Sequence, residues 1–119
     1  MSSMTLDKLK LMVQAFCEAR DWDQFHGPKD LAIGVSTEAA ELLEHFRFQS
    51  DEQALALFSD PHIKEEIEDE LADVLFFLLR FSQRFEVDLT KALLRKIKKS
   101  EKKYPVDKAK GKNTKYTKL

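Results

Sequence analysis

Residues 28–48 read PKDLAIGVSTEAAELLEHFRF, and residues 60–85 read DPHIKEEIEDELADVLFFLLRFSQRF. The first stretch spaces Leu31, Val35, Ala39, Leu42 and Phe46 by three and four residues; the second does the same with Ile63, Ile67, Leu71, Val74, Leu78 and Phe81. That is the period of a helix with one buried stripe. Each opens on a proline, Pro28 after Gly27 and Pro61 after the capping acid Asp60, where a missing N–H costs nothing. The pattern predicts one helix over 28–48 and another from Asp60 to about Phe85. Outward from this pair, Leu6, Leu9, Val13 and Phe16 predict a helix from Met4 to about Arg20. Asp88 caps a predicted helix from Leu89 to about Lys102, with Leu89, Leu93 and Ile97 on one face. Tyr104-Pro105 ends it, because the residue before a proline is pushed out of helical torsion angles. Ala54, Leu55, Leu57 and Phe58 suggest a short helix inside the 49–59 connection. Three Gly and three Pro leave too few turn makers for a barrel or sandwich of short strands. The expected fold is all-α, a bundle of four helices.

A chain of 119 residues supports one domain with its own core. With 43% hydrophobic and 34% charged residues it is too apolar for a disordered chain and too charged for a membrane span. The single Cys17 excludes an intramolecular disulfide, and no stretch reads as a secretory leader, so the expected setting is the reducing cytoplasm. The net charge of −1 hides an asymmetry: residues 1–96 balance to −8, residues 97–119 to +7. We divide the chain into a domain over 1–105 and a Lys-rich tail over 106–119 that needs a partner to become ordered.

The acids are informative where they interrupt the apolar pattern. Glu38 and Glu41, three residues apart, share a face and border the apolar stripe of their helix. Glu70 and Asp73 repeat the arrangement on the next long helix, with Glu66 beside them. A charge run such as Glu65 to Asp73 ordinarily forms a solvated face. Here two helices each carry an acidic pair beside apolar neighbours, and antiparallel packing would gather four carboxylates around one cleft. Such a cluster repels itself unless a hard divalent cation sits in it, and oxygen-only ligation suits Mg²⁺ or Mn²⁺. A di-iron site would want Glu-x-x-His, which none of His26, His45 and His62 provides. Zinc would want clustered Cys or His. Magnesium in a helical cleft points to phosphate chemistry.

The pattern Glu38-x-x-Glu41 followed by Glu70-x-x-Asp73 resembles the signature of the MazG-like, all-α nucleotide pyrophosphohydrolases. Arg20-Asp21-Trp22-Asp23-Gln24-Phe25-His26, Glu38-Ala39-Ala40-Glu41-Leu42, Asp69-Glu70-Leu71-Ala72-Asp73-Val74-Leu75, Lys103-Tyr104-Pro105-Val106 and Lys115-Tyr116-Thr117 look like its dCTP pyrophosphatase branch. The similarity runs from about Leu6 to Leu119. It implies hydrolysis of a nucleoside triphosphate between the α and β phosphates to a monophosphate and pyrophosphate. Glu38, Glu41, Glu70 and Asp73 would hold Mg²⁺, with Mn²⁺ as a substitute, neutralising the triphosphate and activating the attacking water. Trp22, Asp23, Gln24, Phe25 and His26 match the nucleotide-binding loop, with Trp22 stacking on the base and His26 hydrogen-bonding the nucleotide. Phe48 stands where relatives commonly carry Trp, and Phe77 where some carry Tyr. Lys99, Lys103 and Tyr104 would meet phosphates that the metal leaves uncompensated, with Ser100 standing where relatives often have Asn. Family members form dimers or dimers of dimers, and apolar residues on more than one helix face agree with a homodimer or homotetramer. Neither a membrane nor a nucleic acid is an expected partner. Two other readings are a related pyrophosphatase acting on dUTP or a phosphoribosyl nucleotide, and a non-catalytic interaction module using the Lys-rich tail.

Overall fold

The computed structural model describes residues 3–119; Met1 and Ser2, the start of the expected 1–105 domain, lie outside the described residues. The described residues form helices and no strand, the all-α architecture expected. The helices are α1 (Leu6–Glu18), α2 (Pro28–Glu44), α3 (Asp51–Ala56), α4 (Pro61–Arg84), α5 (Leu89–Lys103) and α6 (Val106–Ala109), with single 3-10 turns at Asp23–Phe25, Leu57–Ser59 and Tyr116–Lys118.

Their starts are written in side chains. Thr5 accepts from the Lys8 N–H at the head of α1, and Asp60 accepts from the N–H groups of His62 and Ile63 at the head of α4. Asp88 caps α5 through the Lys91 N–H, and Ser50 with Gln53 makes a reciprocal capping box on α3. The long predicted helix over 28–48 ends earlier, at Glu44. Beyond it the N–H groups of His45, Phe46 and Gln49 bond three residues back, to Leu42, Leu43 and Phe46, instead of four. This tightening turns the chain into the α3 cap. It leaves Phe48 82% exposed, with the Arg47 guanidinium 4.4 Å from its ring centroid.

Two compact units result, Met1–Glu86 and Val87–Leu119. They part at Glu86, whose φ of 54° lies in the left-handed region. Within the first unit α2 and α1 both pack on α4, and the 3-10 turn at Leu57–Ser59 adds to them. Cys17, Leu31, Ile67 and Leu79 are its buried apolar residues, and burial of such aliphatic side chains contributes about 1.5–3 kcal/mol each. Phe16 meets Phe76 edge to face at 5.9 Å, tying α1 to α4. Within the second unit, the segment expected to need a partner is locally ordered. The Tyr116 ring stands edge to face with Tyr104 at 5.9 Å, and the Lys103 ammonium lies 4.7 Å from the Tyr116 centroid. An aromatic pair and a cation over a ring supply anchoring that a count of lysines does not show. Among the described residues no helix is long and apolar enough to cross a membrane.

Candidate functional site

Glycine sets how closely the two site helices approach. A Cβ at Gly34 would stand 2.5 Å from two ring atoms of Phe77, so α2 and α4 touch through a position with no side chain. From that contact the helices run antiparallel: one turn onward in α2 comes Glu38, and one turn back in α4 comes Asp73. Glu41 and Glu70 complete the set, and one carboxylate oxygen from each of the four residues lies within 4.8 Å of all the others. The acidic pairs read from the sequence are thus brought together.

The cluster's electrostatics are those of charges held where they repel. Glu38 and Glu70 are half-buried, Glu41 and Asp73 exposed. Oε2 of Glu38 and Oε2 of Glu70 are both shut off from solvent and lack any hydrogen-bond donor. Burial, the adjoining Glu41 carboxyl and the charges of Glu41, Asp73 and Glu70 push the Glu38 carboxyl up to about 6. Glu70 is raised too, by burial first and then by the Glu41 carboxyl and the charges of Glu41 and Asp73, with His45 pulling the other way. Orphaned carboxylate oxygens facing like charges match the oxygen-only ligand set that a hard divalent cation prefers. The residues fit such an ion.

The loop after α1 is built around aromatic edges and one buried cation. Asp21 takes a left-handed φ of 55° to leave the helix, and its carbonyl and carboxylate both accept from the Gln24 amide. Trp22 is half-buried, its ring edge to face with Phe16 at 5.6 Å and with His26 at 5.9 Å. Phe25 and Gln24 are exposed. The Asp23 carboxylate and His26 Nδ1 both accept from Arg80 of α4, which is fully buried. The Arg80 guanidinium holds the Asp23 carboxyl below the usual carboxylate range, whereas burial and then Arg80 hold His26 below the usual imidazole range.

Phe77 lies half-buried against Gly34 beside the acids, and Phe48 stands out in solvent beyond the end of α2. Lys99 and Lys103 lie on α5 and Tyr104 at its C-terminal cap, all in the second unit, where Tyr104 and Lys103 meet Tyr116. The sequence reading missed Arg80 and His45. Arg80 carried a signal: it is the one charge inside the apolar run from Val74 to Phe81. A charge there must be paired or costly.

The MazG-like family model matches residues 33–119. The dCTP pyrophosphatase 1 of Bos taurus is 34% identical over 118 residues, spanning 99% of this chain and 70% of its own length. That of Homo sapiens is 33% identical over 115 residues, spanning 97% of this chain and 68% of its own. The crystal structure of a pyrophosphatase from Archaeoglobus fulgidus superposes with a TM-score of 0.80 at 35% identity, covering 88% of this chain and 96% of that one. Matched along most of its length in sequence and in fold, with the acidic pairs of its two packed helices converged, this chain belongs to the MazG-like family.

Proposed function

We propose that this chain is a nucleoside triphosphate pyrophosphohydrolase that cleaves a deoxynucleoside triphosphate, dCTP or a close relative, between its α and β phosphates. The products are a monophosphate and pyrophosphate. The observation that carries the reading is the convergence of Glu38, Glu41, Glu70 and Asp73 with two carboxylate oxygens left without donor or solvent. The named relatives, dCTP pyrophosphatases and a pyrophosphatase, support the reaction class.

The four carboxylates are the proposed ligands of Mg²⁺, with Mn²⁺ as a substitute. Bound there, the ion supplies charge neutralisation for the triphosphate and acidifies the attacking water. The chain's own residues do the rest. The four acids hold the ion on two rigid helices, so the reacting phosphorus is placed relative to a fixed frame. The loop from Trp22 to His26 takes the nucleoside, with Phe48 and Phe77 assigned to the base and Lys99, Lys103 and Tyr104 to phosphate oxygens by resemblance. We assign the activity to residues 1–105, with 106–119 as a Lys-rich extension, and place the protein in the cytoplasm on the strength of its lone Cys17. Self-association as a homodimer or homotetramer is proposed from the apolar side chains left open in the first unit, among them Leu11, Met12, Ile33 and Leu43.

The test is incubation with a panel of dNTPs and Mg²⁺ and assay of the phosphate products. Pyrophosphate with the monophosphate is expected, fastest for dCTP or a near relative. Orthophosphate in its place would make the assigned bond wrong, and no product across the panel would favour a non-catalytic binding module.

A further inference from the structure

Arg80 is fully buried in α4, and the chemistry proposed above makes no use of it. Burying a guanidinium is costly unless its donors are matched, and here each nitrogen finds a partner. Nε donates to His26 Nδ1 at 2.8 Å, one terminal nitrogen donates to Gln83 Oε1 at 2.6 Å, and the other to the Asp23 carboxylate. Two of these partners belong to the loop, 54 and 57 residues upstream, and Arg84 adds a contact at 3.4 Å to the Asp23 carbonyl. One buried side chain therefore ties the loop to the helix that also carries Glu70 and Asp73.

The direction of the first bond has a chemical consequence. An arginine in a protein is always protonated and its Nε can only donate, so His26 Nδ1 must present its lone pair. The imidazole proton is then confined to Nε2. We propose that Arg80 is a positioning residue which holds His26 as the neutral Nε2–H tautomer, so that this nitrogen stands as a fixed hydrogen-bond donor to an acceptor atom of the bound nucleotide. The inference rests on the reading of the loop as the nucleotide site. The charged groups facing His26 agree with it: Arg80 and Arg84 oppose a second proton, and of the acids Asp23 and Asp30 that favour one, Asp23 is already paired with Arg80. Trp22 stands edge to face on His26 at 5.9 Å, next to the same anchor.

Two measurements on the full chain test this. In ¹⁵N-labelled protein without nucleotide, long-range ¹H–¹⁵N correlations should show His26 as the Nε2–H tautomer through neutral pH, protonating only below the ordinary histidine range. His26→Asn identifies its signals among those of His45 and His62. Arg80→Met should mix the tautomers and return the titration toward ordinary, while Arg80→Lys, one point donor in place of a planar fork, should fall between. In steady-state kinetics Arg80→Met should raise KM for the preferred dNTP by about tenfold to a hundredfold with a smaller change in kcat. An Nδ1–H tautomer or an imidazolium in the wild-type protein at neutral pH would overturn the proposal even if Arg80→Met failed to fold. So would an unchanged tautomer in a folded Arg80→Met, or a loss confined to kcat. A wild-type protein that releases no pyrophosphate yet shows the Nε2–H tautomer would sink the catalytic reading and uphold the Arg80–His26 assignment.

Discussion

Glu38 has one carboxylate oxygen with neither solvent nor donor, and its affinity for a proton records the strain of that position. Its carboxyl lies at about 6 in the folded chain, above the usual value of 4.5. The folded state therefore binds a proton that the unfolded state releases, so this stabilisation is complete at low pH and is lost as pH rises through about 6. In metal-free protein, thermal melts should show this contribution shrinking between about pH 4.5 and 6. Because a cation must displace that proton, calorimetric affinity for Mg²⁺ or Mn²⁺ should fall as pH drops through the same window. At pH 7, Mg²⁺ at about 100 times its dissociation constant should restore about 2.7 kcal/mol. Glu41→Gln or Asp73→Asn should abolish turnover while leaving the metal-free protein as stable as wild type or more so, because each removes one repelling charge. Full activity in either variant, measured by pyrophosphate release, would contradict the ligand assignment. These acids could be read from spacing alone, since i,i+3 pairs share a helix face in any tertiary context. Arg80 could not, because its partners lie 54 and 57 residues away along the chain.

At the scale of elements, the decisive contact is Gly34 on Phe77, one turn from each acidic pair. Alanine suits a helix better than glycine by about 1 kcal/mol, but its Cβ here would meet the Phe77 ring at 2.5 Å, and overpacking typically costs about 1–3 kcal/mol. Gly34→Ala should therefore destabilise by about 1 kcal/mol in urea denaturation and weaken divalent cation binding by spreading the cleft. Phe77→Leu in the same chain should recover part of both losses, a coupling that a double-mutant cycle reads directly. Asp60→Ala removes the acceptor for two N–H groups of α4 and should cost about 1 kcal/mol. Helix starts were legible because their signals are local: Asp60, Asp88 and Pro28 act on the next turn. The early end of α2 was not, because Phe46 and Phe48 continue the apolar alternation after the hydrogen bonds have changed register. Ring packing of Phe46 on Phe58, at 6.1 Å, holds that turn against the next connection.

For the molecule as a whole, apolar side chains such as Leu11 at 64% and Met12 at 58% exposure stand unburied side by side in the chain on α1, apolar surface of the kind an interface between copies covers. Sedimentation at micromolar concentration should give a dimer or a dimer of dimers, and a charge placed at Leu11 should shift it toward monomer. A wild-type monomer under those conditions would refute self-association. The amino-acid sequence by itself determined the four long helices, the starts of α2, α4 and α5 and the presence of two acidic pairs, because each depends on residues within a turn or two of one another. Only the tertiary structure decided that the pairs converge, that a glycine lets their helices close, and that a buried arginine grips the aromatic loop. Those are contacts between residues far apart in the chain, and they exist only once α1, α2 and α4 have packed.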